Sequence, residues 1–141
     1  MTQSARILIR DVVTAAPTDS VRSAARRMRQ AGIGCIVVAE GKTAVGLFSE
    51  RDLLNRVAAD GLDLETTTLA QVMTPKPLCV DSAEHLDKIF GILSEGRFRH
   101  VPITENGELV GIVSLSDLAK VLRNVYKEEK YIQYFIDYMQ E

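Results

Sequence analysis

The chain has no tryptophan, two histidines and two cysteines among its 141 residues. Each scarcity excludes a class of chemistry. No Cys/His cluster at metal-ligand spacing can be assembled, there is no Gly-x-Ser-x-Gly nucleophile elbow, and there is no P-loop, so no catalytic constellation emerges and a non-enzyme is expected. Cys35 and Cys79 fall in apolar, strand-like runs, which fits reduced, buried thiols and a cytoplasmic setting. No apolar run approaches the roughly 20 residues of a membrane-spanning helix, and Met1 to Arg10 lack the apolar stretch of a secretion signal. Neither sign of charge dominates: 17 Lys and Arg face 19 Asp and Glu, a formal charge of −2. That balance argues against a nucleic-acid or membrane-surface partner; the one candidate basic patch, Arg22, Arg26, Arg27 and Arg29, reads as a solvated helix face.

What is present is a packed-fold composition, 46% hydrophobic and 26% charged, arranged as a repeat. Val13-Thr14 and Met73-Thr74 open two segments that continue through Asp19-Ser20 and Asp81-Ser82 into a helical pattern, an apolar strand and a second strand. The second strands end in Gly46-Leu47-Phe48-Ser49-Glu50-Arg51-Asp52 and Gly111-Ile112-Val113-Ser114-Leu115-Ser116-Asp117. The offset between matched residues grows slightly along the unit, as expected of a duplication with small loop insertions.

Within each unit the short oxygen-bearing side chains at Asp19 or Ser20 and Asp81 or Ser82 predict helix caps, with helices over 20–31 and 83–95. Val21, Ala24, Ala25 and Met28, then Ile89, Ile92 and Leu93, mark their core faces. Gly32 and Gly96 suit left-handed C-terminal positions. Strands are expected at 35–38, 44–48, 100–103 and 109–113, with Asn106-Gly107 as a hairpin turn. Pro102 predicts an edge strand or an amide facing a cleft, because proline cannot donate to a ladder. The polar stretch 60–68 reads as the link between the units. Closing helices are expected from about Glu50 and Leu115.

The paired Gly-x-x-Ser-x-x-Asp segments place a serine at a helix mouth and a carboxylate one turn in. Ser-x-x-Asp fits a capping box, in which each side chain serves the other residue's amide. The same atoms also suit a ligand: free first-turn amides and a hydroxyl welcome phosphate, and a fixed carboxylate accepts both hydroxyls of a ribose. The two uses can coexist.

Over roughly residues 7–124 the sequence resembles the cystathionine β-synthase (CBS) domain pair, or Bateman module. The resemblance is carried by Met73-Thr74-Pro75, by both Gly-x-x-Ser-x-x-Asp segments and by Arg99-His100-Val101-Pro102-Ile103, all in family order. It implies an α+β fold of tandem β-α-β-β-α repeats, 7–68 and 69–124, related by a pseudo-twofold axis with two clefts between them, and a helical extension over 125–141. Such clefts commonly take AMP, ADP or ATP, and in some members NAD or S-adenosylmethionine, as regulatory ligands rather than catalytic cofactors. Carried over by position, Asp52 and Asp117 would hold ribose hydroxyls, with Ser49 and Ser114 alongside and Ser116 toward phosphate. Backbone groups of Cys35-Ile36-Val37 and His100-Val101-Pro102 would frame the adenine, and Thr14 and Thr74 would touch base or sugar.

Arg51, Arg97, Arg99 and His100 are available for phosphate, and the second unit is expected to be the stronger phosphate binder because Arg99-His100 replaces Cys35-Ile36 there. His85 is expected on a helix, structural or exposed. Leu118, Leu122, Val125, Ile132, Ile136 and Met139 form a heptad-like stripe in the tail, which also holds all four tyrosines, Tyr126, Tyr131, Tyr134 and Tyr138. The resemblance further implies a homodimer. The functional expectation is a stand-alone sensor that signals nucleotide occupancy to an unidentified effector protein. The alternative is a dimerisation or interaction module whose clefts are vestigial.

Overall fold

The computed structural model describes residues 4–126 and 136–140. A 3-10 turn at Ala5–Leu8 leads to β1 (Thr14–Ala15), α1 (Val21–Ala31), β2 (Cys35–Glu40), β3 (Thr43–Ser49) and α2 (Glu50–Asp52), which runs into a π-helical stretch at Leu53–Ala58. Then follow α3 (Leu69–Val72), β4 (Thr74–Pro75), β5 (Val80–Asp81), α4 (Leu86–Ser94), β6 (His100–Glu105), β7 (Glu108–Ser114) and α5 (Leu115–Tyr126). The chain gathers into two compact units that interleave along the sequence. The first holds residues 11–77 and 107–109; the second holds 4–10, 78–106, 110–126 and 136–140. The extended domain boundaries read from the repeat therefore differ from the contact units at both lead-in segments: 7–10 pack with the second unit, and 69–77 with the first.

In the first unit α1 starts where expected because the Ser20 hydroxyl accepts a hydrogen bond from the Ser23 amide at 3.1 Å, and it ends at Gly32 with φ 66°. Its buried stripe, Val21, Ala24 and Met28, packs with Ile36, Val38 and Phe48. The sheet order is β1-β2-β3-β4, with β1 parallel to β2 and the other pairs antiparallel. Residues Cys35 to Ala39 of β2 are all buried, so this strand reads as an unbroken apolar run rather than an alternation. The predicted link 60–68 instead doubles back within this unit. The carbonyls of Thr67 and Leu64 accept from the Val21 and Arg22 amides at 3.0 and 3.1 Å, which satisfies first-turn donors of α1 that have no partner inside the helix.

The second unit has the sheet β5-β6-β7, with β5 parallel to β6. Asn106 and Gly107 take φ values of 54° and 79°, the paired left-handed geometry of a two-residue hairpin turn. Contrary to the edge expectation, β6 is the middle strand; yet β5 begins pairing only at Ile103, one residue beyond Pro102, so the proline falls outside that ladder. Helix α4 also departs from its expected start. Asp81 and Ser82 do not cap it: the Asp81 carboxylate accepts from the Ala83 amide at 2.8 Å and the buried Ser82 hydroxyl donates to Glu105 at 3.2 Å. His85 becomes the N-cap, ahead of the helix rather than on it, and makes no side-chain cap bond.

Residues 4–10 complete this unit. Ala5 and Leu8 are buried with Val80, Leu86, Ile89 and Phe90, and each fully buried leucine or isoleucine of such a core contributes about 1.5–3 kcal/mol. The Ala5 amide donates to the Glu84 carbonyl at 2.7 Å, the Arg10 amide to the Val110 carbonyl at 2.9 Å, and Arg6 pairs with Glu105. In the tail, Tyr138 packs edge-on against Phe90, with ring centroids 4.6 Å apart. Of the expected stripe, Leu118 is buried while Ile136 and Met139 are exposed; Ile132, Tyr131 and Tyr134 lie outside the described residues.

Candidate functional site

Both Ser-x-x-Asp segments form the reciprocal box their spacing predicts. In the first unit the Asp52 amide donates to the Ser49 hydroxyl at 3.2 Å and the Ser49 amide to Asp52 Oδ2 at 3.0 Å. In the second the Asp117 amide donates to the Ser114 hydroxyl at 3.2 Å and the Ser114 amide to Asp117 Oδ2 at 3.1 Å. Each carboxylate is thereby immobilised at a strand-to-helix corner, which is what a capping role needs and also what recognition of a rigid diol needs.

The glycine that opens each motif has a structural task of its own. A side chain at Gly46 would run into the Met73 thioether and come within 3.1 Å of the Thr74 carbonyl; one at Gly111 would lie 2.5 Å from the carbonyl oxygen of Leu8. In both units a lead-in segment lies against the strand before the motif, and glycine lets the backbones approach that closely. Thr74-Pro75 pair antiparallel with β3 in the first unit, and in the second the Arg10 amide donates to the Val110 carbonyl of β7.

Around Asp52 the first unit brings several predicted residues into one sheet. Thr14, Val37, Leu47 and Thr74 form a row across β1, β2, β3 and β4, and Cys35 lies opposite Ser49. The Val37 amide already donates to the Val13 carbonyl at 3.4 Å, whereas Cys35 and Ile36 precede the stretch of β2 that β1 covers. The side chains of Cys35, Ile36 and Val37 are buried, so only backbone atoms could frame a base here. Burial, with the neighbouring Asp52 charge adding to it, pushes the Cys35 thiol up to about 12, so it stays protonated and is no nucleophile at neutral pH. Arg51 is exposed. Arg56 lies 3.7 Å from Asp52 and also donates to the carbonyls of Val72 and Met73 at 3.2 and 3.0 Å. Of the basic face on α1, Arg22 pairs with Glu65, and Arg27 sits 3.6 Å from Asp19 and donates to the Thr14 carbonyl at 2.6 Å.

In the second unit a cavity of about 150 Å³ is lined by Ile7, Leu8, Ile9, Arg10, Ile112, Val113, Asp117 and Lys120. Of the residues predicted for this site only Asp117 lines that cavity. Ser114 is tied to it through the box, while Ser116 and Arg99 are exposed, His100 is half-buried at the start of β6, and Val101 and Pro102 are buried. Arg97 lies over the Phe98 ring. Thr74 does not join this unit but the first.

Arg10 and Lys120 were not among the predicted site residues; the glycine that opens the motif, which leaves room for the Leu8 backbone, is the one signal that could have pointed to this segment. Arg10 Nη2 donates to the Ile112 carbonyl at 2.7 Å and lies 3.3 Å from Asp117 Oδ2. Partial burial tends to raise the Asp117 pKa, but the Ser114 hydrogen bonds and the Arg10 charge outweigh it and hold the carboxyl below its usual range. Among the described residues no group of three or more His, Cys, Asp or Glu is placed to hold a metal ion, and no helix is long and apolar enough to cross a membrane.

The profile of the CBS domain matches residues 5–59 and 69–124. Over 124 residues the chain is 31% identical to the uncharacterized protein YlbB of Bacillus subtilis, covering 84% of this chain and 81% of that one. The crystal structure of a CBS-domain containing protein from Agrobacterium tumefaciens is 38% identical, with a TM-score of 0.70 over 79% of this chain and 89% of that one. A CBS domain protein from Pyrobaculum aerophilum complexed with AMP is 26% identical, with a TM-score of 0.75 over 89% of this chain and 99% of that one. Other curated relatives are longer: the chain spans 58% of an uncharacterized protein of Methanopyrus kandleri and 17% of a CBS domain-containing protein of Arabidopsis thaliana. Two profile matches, one over each copy of the repeat and each ending past its own Ser-x-x-Asp box or at the helix that follows it, place the chain in the CBS-domain family as a CBS pair.

Proposed function

We propose that the chain is a regulatory module that takes an adenosine nucleotide, AMP, ADP or ATP, at the serine–aspartate corners of its units and reports occupancy to a partner protein without turning the nucleotide over. The observation that carries this is the carboxylate fixed at the same strand-to-helix corner in both units. In the second unit it borders a cavity whose remaining charged groups are both cations. A carboxylate for a ribose diol with guanidinium and ammonium groups for phosphate is the donor and acceptor set that a nucleotide requires. The similar Pyrobaculum aerophilum protein carries AMP. Signalling then requires only that ligand favour one of two states that a partner distinguishes. Pairing with a second copy is part of this proposal, on the family resemblance alone.

Calorimetric titration of nucleotide-stripped protein with AMP, ATP, NAD and S-adenosylmethionine tests the proposal. Saturable binding of an adenine nucleotide is expected, and recovery of unmodified nucleotide afterwards. No heat with any of the four would refute it.

One observation favours a second reading, an interaction module with vestigial sites: both aspartates are already engaged, as caps and by Arg56 or Arg10. The same titration decides, since vestigial sites bind none of the four ligands.

A further inference from the structure

We infer that Arg10 is both gate and charge selector of the pocket at Asp117: it holds the motif carboxylate when no ligand is there, and releases it only to a ligand that offers the guanidinium a phosphate in exchange. The inference rests on the nucleotide reading above and specifies its ligand class, nucleotides as against nucleosides.

The Arg10 backbone is held to β7 by the hydrogen bond that its amide donates to the Val110 carbonyl, which places its side chain beside Asp117. There Nη2 bridges the Ile112 carbonyl and Asp117 Oδ2, the same oxygen that receives the Ser114 amide. A ribose diol engages a carboxylate through both oxygens, so it competes with Arg10 for Oδ2. The cavity of about 150 Å³ is also smaller than the roughly 300 Å³ at which small-molecule sites begin, and moving the Arg10 side chain outward enlarges it. Both considerations make displacement of Arg10 a condition of binding.

Displacement is feasible because the pair is half-exposed, 50% at Arg10 and 32% at Asp117, and ion pairs in that setting are weak. What the displaced guanidinium meets decides selectivity. Apart from Asp117 and Lys120 the lining is apolar, from Ile7, Leu8 and Ile9 on one side and Ile112 on the other, and offers it no second carboxylate. A phosphate-bearing ligand provides a bidentate partner; a neutral nucleoside takes the carboxylate and leaves the guanidinium to water. The first unit contains no such exchange, because Arg56 reaches Asp52 from its own helix and is held by two carbonyls.

The test is calorimetric titration of the parent, Arg10→Gln and Arg10→Lys with AMP and with adenosine, read for the site that Asp117→Ala abolishes, with thermal melts to establish that each variant is folded. The parent is expected to prefer AMP over adenosine by roughly a hundredfold, on the scale of charge-assisted hydrogen bonds. In Arg10→Gln, AMP affinity falls about tenfold while adenosine affinity rises severalfold, so the ratio collapses; Arg10→Lys retains part of the AMP preference. If Arg10→Gln weakens both ligands equally, or leaves their ratio unchanged, the gate is refuted and the nucleotide reading stands. If neither ligand binds the parent or Arg10→Gln, the nucleotide reading falls, and the gate with it.

Discussion

In the first unit the motif aspartate is paired with Arg56, four positions along the same helix; in the second it is paired with Arg10, 107 positions away in sequence. The boxes themselves are alike to within a tenth of an ångström. A duplicated motif can therefore keep its local geometry while its surroundings diverge, because the box is closed by bonds three residues apart, whereas the cation beside it comes from the box's own helix in one unit and from a distant segment in the other. The helix that follows diverges too. After Asp52 it widens into π-helical turns, with the Ala59 amide reaching back five residues to the Leu54 carbonyl at 2.9 Å, while α5 continues as α-helix to Tyr126.

The lead-in segments provide the sharpest way to test that comparison. Gly111→Ala should destabilise the protein by about 2–3 kcal/mol, since the added methyl meets the Leu8 backbone, which cannot rotate away. Gly46→Ala should cost about 1 kcal/mol, because the first atom met is the mobile end of Met73. Denaturant unfolding of the two variants reads the difference; equal losses would show that the two close approaches are equally tolerant.

Next in size are the carboxylates. Asp117→Ala and Asp52→Ala should each remove one class of nucleotide site, with at least a tenfold loss of affinity, about 1.4 kcal/mol. Titration showing parent-like binding in both would leave the boxes as caps only.

The first helices of the two units differ in capping. Ser20→Ala should lower stability by about 1 kcal/mol, since it removes the cap of α1. His85→Asp should raise it by roughly 0.5 kcal/mol, by giving α4 the side-chain cap it lacks. A shift of the same sign in both melting curves would contradict the assignment.

The smallest effect is on pH. Because Asp117 is held below its usual range in the fold, its contribution to stability is complete above the ordinary carboxylate range and is lost as pH falls through its lowered pKa. Asp117→Asn should therefore flatten the acid limb of a stability-against-pH series, and Arg10→Gln should shift that limb upward in pH. An unchanged acid limb in both would show that the carboxylate is not held by these partners in solution.

Much of this architecture was legible because it is written locally. The cap at Ser20, the left-handed Gly32, the Asn106-Gly107 turn and both boxes depend on bonds spanning a few residues, and residue type at fixed spacing predicts them. The misplaced start of α4 shows where that logic stops: Asp81 and Ser82 have capping chemistry, but a nearer turn and Glu105 claim it first. The link 60–68 likewise looks like a spacer by composition, yet its carbonyls finish the N-terminus of α1.

By itself, then, the sequence determined the repeat, its elements and the two fixed carboxylates, since hydrophobic period, caps and turns are set by neighbours along the chain. Only the tertiary structure decided that residues 4–10 complete the second unit and bring Arg10 to Asp117, and that Thr74 serves the first. Those pairings are chosen by which buried surface a distant segment can cover, and no local pattern encodes that choice.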